Sequence, residues 1–468
     1  MRIRHGFCLI NFIVAVWFCL SVNAADESPR VDEGSLLWIS DVHFNPFHGG
    51  DVLPLATADG KNWRNHQKWG KILASMPVNQ KCSGAEDTND FLMQMVLQKA
   101  SEVTRNSKPD FILMTGDFLS HDFTACYFNR SGLPQQLLSV DQHNDFVRQT
   151  MAYVAMSVSD RFPGIPVIAV LGNNDAFCGD YDVRGNSGFL ASTQATFQKY
   201  FLADLSDDFQ ELGGCYSTEI PQTNHRVIVL NSIPFMQVYP ALKYVSASPL
   251  QKSSCESLRR VELVDEDQWL RNEVNTLNSG NKAWIACHVP PGINCYDGRQ
   301  YWNSQREEMG KQSFIDQFVS FYRSKQQHLA GILAGHSHMA EFKLINGQQG
   351  EPQSSVLMAP SVARNHGNNA SFRLMKFDRK TLFVNDYVTH WIDASSSPPK
   401  WAAPFSFTET YQQPDVSPSS LNAVYQRMNS GDRGTIDQYF SDYSTRNGAG
   451  NSSARRNFRL ALPSLLAP

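Results

Sequence analysis

Seven side chains able to bind a metal stand at the ends of short apolar runs in this sequence: Asp41 and His43 in "SDVH", Asp117 in "GD", Asn173 in "GNND", His288 in "CHVPP", and His336 and His338 in "GHSH". Two carboxylates, one amide and four imidazoles suit a pair of divalent ions. Imidazole favours borderline metals, zinc first with manganese and iron as alternatives, and a carboxylate can bridge two ions. In an extended chain residues two apart point the same way, so "DVH" and "HSH" can each direct two side chains at one place. Glycines before Asp117, Asn173 and His336 permit tight turns at a crowded centre. Any one of these motifs occurs by chance in many proteins; the ordered set, each member at a strand end, does not.

The elements that must position these residues follow from the hydrophobic pattern. "LLWIS" runs to Asp41, "FILMTG" to Asp117, "VIAVLG" to Asn173, "AWIAC" to His288, "GILAG" to His336, and "RVIVL" to Asn231. Between them lie helical patterns. "DTNDFLMQMVLQKASEVT" has Asp87 or Thr88 as a cap and apolar residues at Phe91, Leu92, Met95, Val96 and Val103; "DQWLRNEVNTL" has Trp269, Leu270, Val274 and Leu277 on one face. Strands alternating with helices predict an α/β sheet whose ligands gather in the loops beyond the strand ends. The pattern places a catalytic domain over residues 32–393, a Pro/Ser-rich connector "ASSSPPKWAAP" over 394–404, and a helical extension over 405–468.

A chain of 468 residues that is 42% apolar and 11% aromatic can bury a large core and is no disordered segment. Arg2, Arg4, an apolar run from Phe7 to Leu20 and "VNA" before Ala25 read as an export signal over residues 1–24. That run is too short to span a membrane comfortably, and no other stretch is long and apolar enough to do so. The destination is therefore secreted or periplasmic. The formal net charge of −4 becomes more negative when both arginines leave, so no wide nucleic-acid surface is expected. Nine cysteines are present, two of them in the signal. Of the other seven, Cys287 is expected to stay a free thiol, leaving Cys82, Cys126, Cys178, Cys215, Cys255 and Cys295 available for disulfides. Sequons occur at Asn129, Asn369 and Asn451.

The order "DVH", "GD", "GNND", "HVPP", "GHSH", from about Leu36 to Asp393, resembles the calcineurin-like metallophosphoesterases. "ISDVHFNPFH", "TGDFLSHD", "APSVARNHGNNASFRLM" and the tail "ETYQQPDVSPSSLNAVYQRM" are similar to the acid sphingomyelinase-like phosphodiesterases. The resemblance implies a four-layer αββα sandwich with a helical C-terminal extension. It implies one metal on Asp41, His43 and His338, the other on Asn173, His288 and His336, and Asp117 bridging both. In most of that superfamily a histidine follows the asparagine of "GN"; here it is Asn174, which can donate a hydrogen bond to a phosphoryl oxygen but cannot act as an acid near neutral pH. His121, four residues after Asp117, resembles the histidine of the group's "GD, three residues, H" motif and is expected to protonate the leaving group, with Asp122 beside it able to orient the ring. Two bound cations would activate water and clamp the phosphoryl oxygens for in-line attack.

The implied function is that of an exported dinuclear phosphodiesterase acting on phosphodiester or nucleotide phosphoanhydride bonds. Its substrate is a small phosphorylated molecule: a nucleotide, a choline-containing diester or polyphosphate. The first strand begins about a dozen residues after the signal, leaving no room for a lipid-presenting saposin-type domain, so water-soluble diesters are favoured over sphingomyelin. "GNND", "GDFLSHD" and "HVPP" also resemble the endopolyphosphatases, the second reading, and a catalytically silent metal or ligand binder is the third. Tyr296, Tyr301 and Trp302 are candidates for one wall of a base or choline site, and Arg364 for a phosphate contact. Asn231 could reach the cleft or serve a turn. His48 and His366 read as surface residues near matched motifs.

Overall fold

The computed structural model describes residues 32–46, 65–75, 87–130, 138–182, 184–206, 208–236, 263–302, 313–347, 349–447 and 452–465. The segment read as an export signal, together with His48, Cys82, Cys255 and Asn451, lies outside them.

The first sheet is begun by β1 (Glu33–Ile39), α1 (Asp90–Val103), β2 (Phe111–Thr115), α2 (Val140–Arg161) and β3 (Val167–Val170), with shorter helices at Trp69–Ser75 and Phe123–Arg130 between them. The three strands are parallel neighbours, each followed by a crossover helix or by α3 (Gly188–Tyr200). Every residue of β2 and β3 is buried, which is why both read as continuous apolar runs rather than as an alternation. The second half repeats the plan: β4 (Tyr216–Glu219), β5 (Arg226–Leu230), α4 (Leu263–Asn275), β6 (Ala283–Cys287), α5 (Phe314–Ser324), β7 (Leu329–Ala334), β8 (Glu341–Asn346) and β9 (Pro352–Met358). They form a sheet in the order β4-β5-β6-β7-β9-β8, with β5, β6, β7 and β9 parallel. The chain then returns to the first sheet through β10 (Ser371–Asp378), antiparallel beside β1, and β11 (Val384–Asp393), antiparallel beside β10.

The two sheets face each other. Trp284 of β6 meets Phe377 of β10 edge-on with ring centroids 5.1 Å apart, and Leu36, Trp38, Phe111, Leu333 and Leu357 belong to the same buried cluster. Full burial of side chains of this size contributes about 1.5–3 kcal/mol each. On the outer faces, Val96 and Leu97 of α1 pack with Val154 and Val158 of α2 against the first sheet, while Leu270, Val274, Ile315 and Phe318 of α4 and α5 cover the second. The expected α/β sandwich with helices on both outer faces is the observed one.

Details differ from the sequence pattern for local reasons. The cap of α1 is Asn89, whose side chain accepts from the Leu92 N–H at 2.8 Å, and neither Asp87 nor Thr88 fills that place. The buried stripe of α1 is Leu92, Met93, Val96, Leu97 and Ala100, so Phe91 falls off it and is 43% exposed. The connector is not structureless: β12 (Lys400–Trp401) pairs with β11, as does β13 (Phe405–Ser406) just beyond it. Beyond it, α6 (Pro418–Asn429), α7 (Arg433–Tyr443) and α8 (Ser452–Ala461) pack back on the sandwich. The Leu344 N–H donates to the Leu462 carbonyl at 2.8 Å, and the Ala340 N–H to the Tyr443 carbonyl at 2.9 Å.

Cys287 is a buried thiol as expected, but so are Cys126, Cys215 and Cys295, three of the six taken to be available for disulfides. They sit inside the apolar clusters, where burial pushes the Cys215 and Cys295 thiols well up. The Asn369 sequon is incidental: Asn369 is buried and its Nδ2 donates to the Thr445 carbonyl at 3.0 Å. Among the described residues no helix is long and apolar enough to cross a membrane.

Candidate metal centre

Six of the seven candidate ligands stand just past the C-terminal ends of five parallel strands: Asp41 after β1, Asp117 after β2, Asn173 after β3, His288 after β6, and His336 and His338 after β7. His43 follows Asp41 on the same loop. Asp41, His43, Asp117, His336 and His338 all have positive φ, between 44° and 69°. The pairs in "DVH" and "HSH" thus converge through left-handed turns and not, as the alternation suggested, in extended backbone. Such φ values are costly for residues with a Cβ and gather where function holds them. At Gly335 the reason for glycine is close approach: a Cβ there would lie 2.5 Å from Ser40 Oγ and 2.8 Å from Asp41 Oδ2.

The structure brings all seven together. On one side, His43 Nε2 lies 3.0 Å from His338 Nε2 and 3.2 Å from Asp117 Oδ2, and His338 Nε2 lies 3.6 Å from Asp41 Oδ1. On the other, Asn173 Oδ1 lies 2.9 Å from both His288 Nε2 and His336 Nδ1, with His288 Nε2 3.2 Å from Asp117 Oδ2. Asp117 is common to both sides.

The second nitrogens show which face each ring presents. His43 Nδ1 meets the Leu119 carbonyl at 3.1 Å and His288 Nδ1 the Thr115 carbonyl at 2.7 Å, so both donate there and turn Nε2 inward. Carbonyl partners of this kind fix a ligating imidazole. Among the described residues, His338 Nδ1 is buried without a hydrogen-bond partner. Lone pairs, a carboxylate and an amide oxygen facing one another in a buried space are satisfied by cations, so the residues present fit divalent metal. Asp41, His43 and Asp117 have ligand atoms within 4.8 Å of one another, as do His43, His121 and His338.

Burial pushes Asp41 up to about 7 and His43 down to about 4, and it drives His336 and His338 well below the usual histidine range. These three imidazoles therefore stay neutral, the form a metal needs. For Asp117 burial acts upward, but the His288 and His43 rings outweigh it and hold the carboxyl well below its ordinary value. His288 is the mirror case: its burial is outweighed by Asp117, which pushes the ring up to about 10.

Asn174 is buried, and both its backbone N–H and its Nδ2 donate to Asp117, each at 2.9 Å. His121 stacks on His43 with centroids 3.9 Å apart and planes at 13°, its side chain 36% exposed. Its Nδ1 meets Asp87 Oδ1 at 2.8 Å. Burial acts against the charged ring, but the Asp87 carboxylate more than offsets it and raises the His121 pKa. Asp87, not the adjacent Asp122, is thus the partner of His121.

The second-tier residues separate. His366 is exposed but stands at the mouth of the centre, its ring 4.4 Å from that of His338 and 6.1 Å from that of His121. Tyr301 is buried against His336 at 5.3 Å, whereas Trp302 is a core residue donating to the Val289 carbonyl at 3.0 Å and forms no wall. Tyr296 is 55% exposed, and Arg364 is buried. Asn231 serves a turn: its Nδ2 donates to the Gly213 carbonyl at 2.7 Å and its Oδ1 accepts from the Ile233 N–H at 3.0 Å.

Two further aspartates escape sequence reasoning. Asp180 accepts from Asn173 Nδ2 at 2.6 Å, which turns the amide oxygen of Asn173 toward the centre. Asp175 accepts from the Gly172, Phe118 and Leu119 N–H groups at 2.8–3.1 Å and so ties the "GNND" turn to the "GD" turn. The turn chemistry of the last residue of "GNND" is a signal that sequence does carry; no spacing rule points to Asp180. Replacing Asp180 with alanine should weaken metal binding by roughly 10–100-fold while leaving the fold intact. Competition against a chromophoric chelator measures it, and an unchanged affinity would remove Asp180 from the account.

Comparison with known proteins gives concordant results. The calcineurin-like phosphoesterase profile matches residues 34–340. Acid sphingomyelinase-like phosphodiesterase 3b of Homo sapiens is 24% identical over 430 residues, covering 88% of this chain and 83% of the relative. Cyclic GMP-AMP phosphodiesterase SMPDL3A of Mus musculus is 23% identical, covering 92% and 89% respectively. Sphingomyelinase phosphodiesterase C of Dictyostelium discoideum is 23% identical, covering 91% and 88%.

Proposed function

The chain belongs to the calcineurin-like phosphoesterase family, and from that premise we propose that it is an exported dinuclear phosphodiesterase hydrolysing phosphodiester or nucleotide phosphoanhydride bonds. The observation that carries the proposal is the two-sided array around Asp117: Asp41, His43 and His338 on one side, Asn173, His288 and His336 on the other. Asp41, His43 and His338 would hold one divalent ion, Asn173, His288 and His336 the second, and Asp117 both. The four imidazoles favour zinc. When bound, the ions supply Lewis acidity that activates water and neutralises charge on the phosphoryl oxygens.

The chain's own residues do the rest. Asp180 fixes the Asn173 amide, and Asn174 holds Asp117 through two hydrogen bonds. An amide at position 174 has no proton to give near neutral pH, so His121, half-exposed beside His43, is the acid that serves the departing oxygen.

Small water-soluble diesters and nucleotides are the proposed substrates, supported by the relative named for cyclic GMP-AMP, a water-soluble nucleotide, which aligns over most of this chain. The test is hydrolysis by the metal-loaded protein of a nucleotide–choline diphosphate beside long-chain polyphosphate. Preference for the nucleotide is expected. Preference for polyphosphate would transfer the protein to the endopolyphosphatase class, and no hydrolysis of either by a metal-replete protein would support a silent binder.

A further inference from the structure

His121 is held from a part of the chain far from its own motif. One oxygen of Asp87 takes the ring Nδ1 at 2.8 Å, and the other takes the His121 backbone N–H at 3.1 Å. The first oxygen also accepts from Asn365 Nδ2 at 2.9 Å. The Asp87 side chain is only 8% exposed and lies just ahead of α1, where the Asn89 cap leaves it free to reach the site. Asn365 lies on the loop between β9 and β10, and that loop is anchored in the C-terminal extension. The Asn369 N–H donates to Thr445 Oγ1 at 2.9 Å, and Asn368 Nδ2 to Ser361 Oγ and the Ala363 carbonyl, both at 2.9 Å.

We propose that Asp87, itself fixed by Asn365, is a positioning residue that sets the orientation and tautomer of His121 for leaving-group protonation. A carboxylate can only accept, so Nδ1 must be the nitrogen that carries hydrogen toward Asp87. Nε2 is then the nitrogen left for the cleft. The backbone contact fixes the carboxylate beside the loop and the ring contact restrains the imidazole, which lies stacked on His43. Asn365 completes the clamp by donating to the same carboxylate oxygen that takes the ring. The C-terminal extension thereby has a catalytic consequence, since Thr445 steadies the loop that carries Asn365. The inference rests on the reading of His121 as the acid.

The test uses the full, metal-loaded chain and two diesters of one nucleotide, one with an alkoxide and one with a 4-nitrophenolate leaving group. Asp87→Asn should lower kcat/KM for the alkoxide ester by roughly 10–100-fold, and for the nitrophenyl ester by less than about threefold, with metal content unchanged. Asn365→Ala, a milder change that keeps Asp87, should shift the same ratio in the same direction by about 3–10-fold. A merely structural role would lower both esters alike, and that result overturns the proposal. His121→Ala separates the two levels. If it fails to discriminate between the esters, the acid assignment falls; if it discriminates and Asp87→Asn and Asn365→Ala do not, only the clamp falls.

Discussion

Asp117→Ala is expected to lower kcat/KM for every phosphoester substrate by on the order of a thousandfold or more, and to reduce the metal retained by the chain. Asp117 is 2% exposed, lies 3.2 Å from both His43 Nε2 and His288 Nε2, and accepts two hydrogen bonds from Asn174. Its carboxylate faces an imidazole of each half of the array. Without it, the ring of His288 loses the carboxylate that outweighs its burial, and Asn174 loses its acceptor. Asp117→Asn keeps the shape and removes the charge, so it should retain the fold and show nearly the same kinetic loss. Activity within about tenfold of the parent protein in either variant would rule out a bridging role.

The second large effect belongs to His121→Ala. Loss of a poised acid costs about 10²–10⁴-fold when the leaving group is an alkoxide, because the departing oxygen must gain a proton as the bond breaks. A phenolate with a low pKa leaves without one, so the same variant should fall by less than about tenfold on a nitrophenyl ester. The ring also stacks on His43 at 3.9 Å, so metal content must be measured alongside. If both esters lose equally while metal is retained, His121 acts on binding and not on protonation.

Much of the site is legible in the amino-acid sequence because metal chemistry restricts residue type. Only a few side chains ligate a borderline cation, and each stands at the end of an apolar run that fits a buried strand. What sequence does not supply is the supporting layer. Asp87 fits the pattern of a helix cap, because it is a carboxylate three residues before Asp90; Asn89 takes the cap, and Asp87 turns to His121. Asp180 and Asn365 act through contacts across the fold that leave no periodic trace. The left-handed backbone at five candidate ligands is hidden for a similar reason, since aspartate and histidine adopt positive φ only where surrounding contacts hold them there. The connector's proline and serine content conceals a short strand that pairs with β11, where tertiary pairing overrides a weak local preference. Cys126, Cys215 and Cys295 depart from the disulfide expectation because burial in the apolar clusters accommodates these residues as thiols.

The central claim is that one carboxylate organises two metals, and the most direct measurement is the number of divalent ions bound per chain. Protein stripped with a chelator, reconstituted with zinc and freed of excess by gel filtration should carry two ions by elemental analysis, with phosphodiesterase activity returning only as the second site fills. Asp117→Ala treated in the same way should carry one or none. A parent protein that saturates at a single ion, or that is fully active with none, would contradict the account.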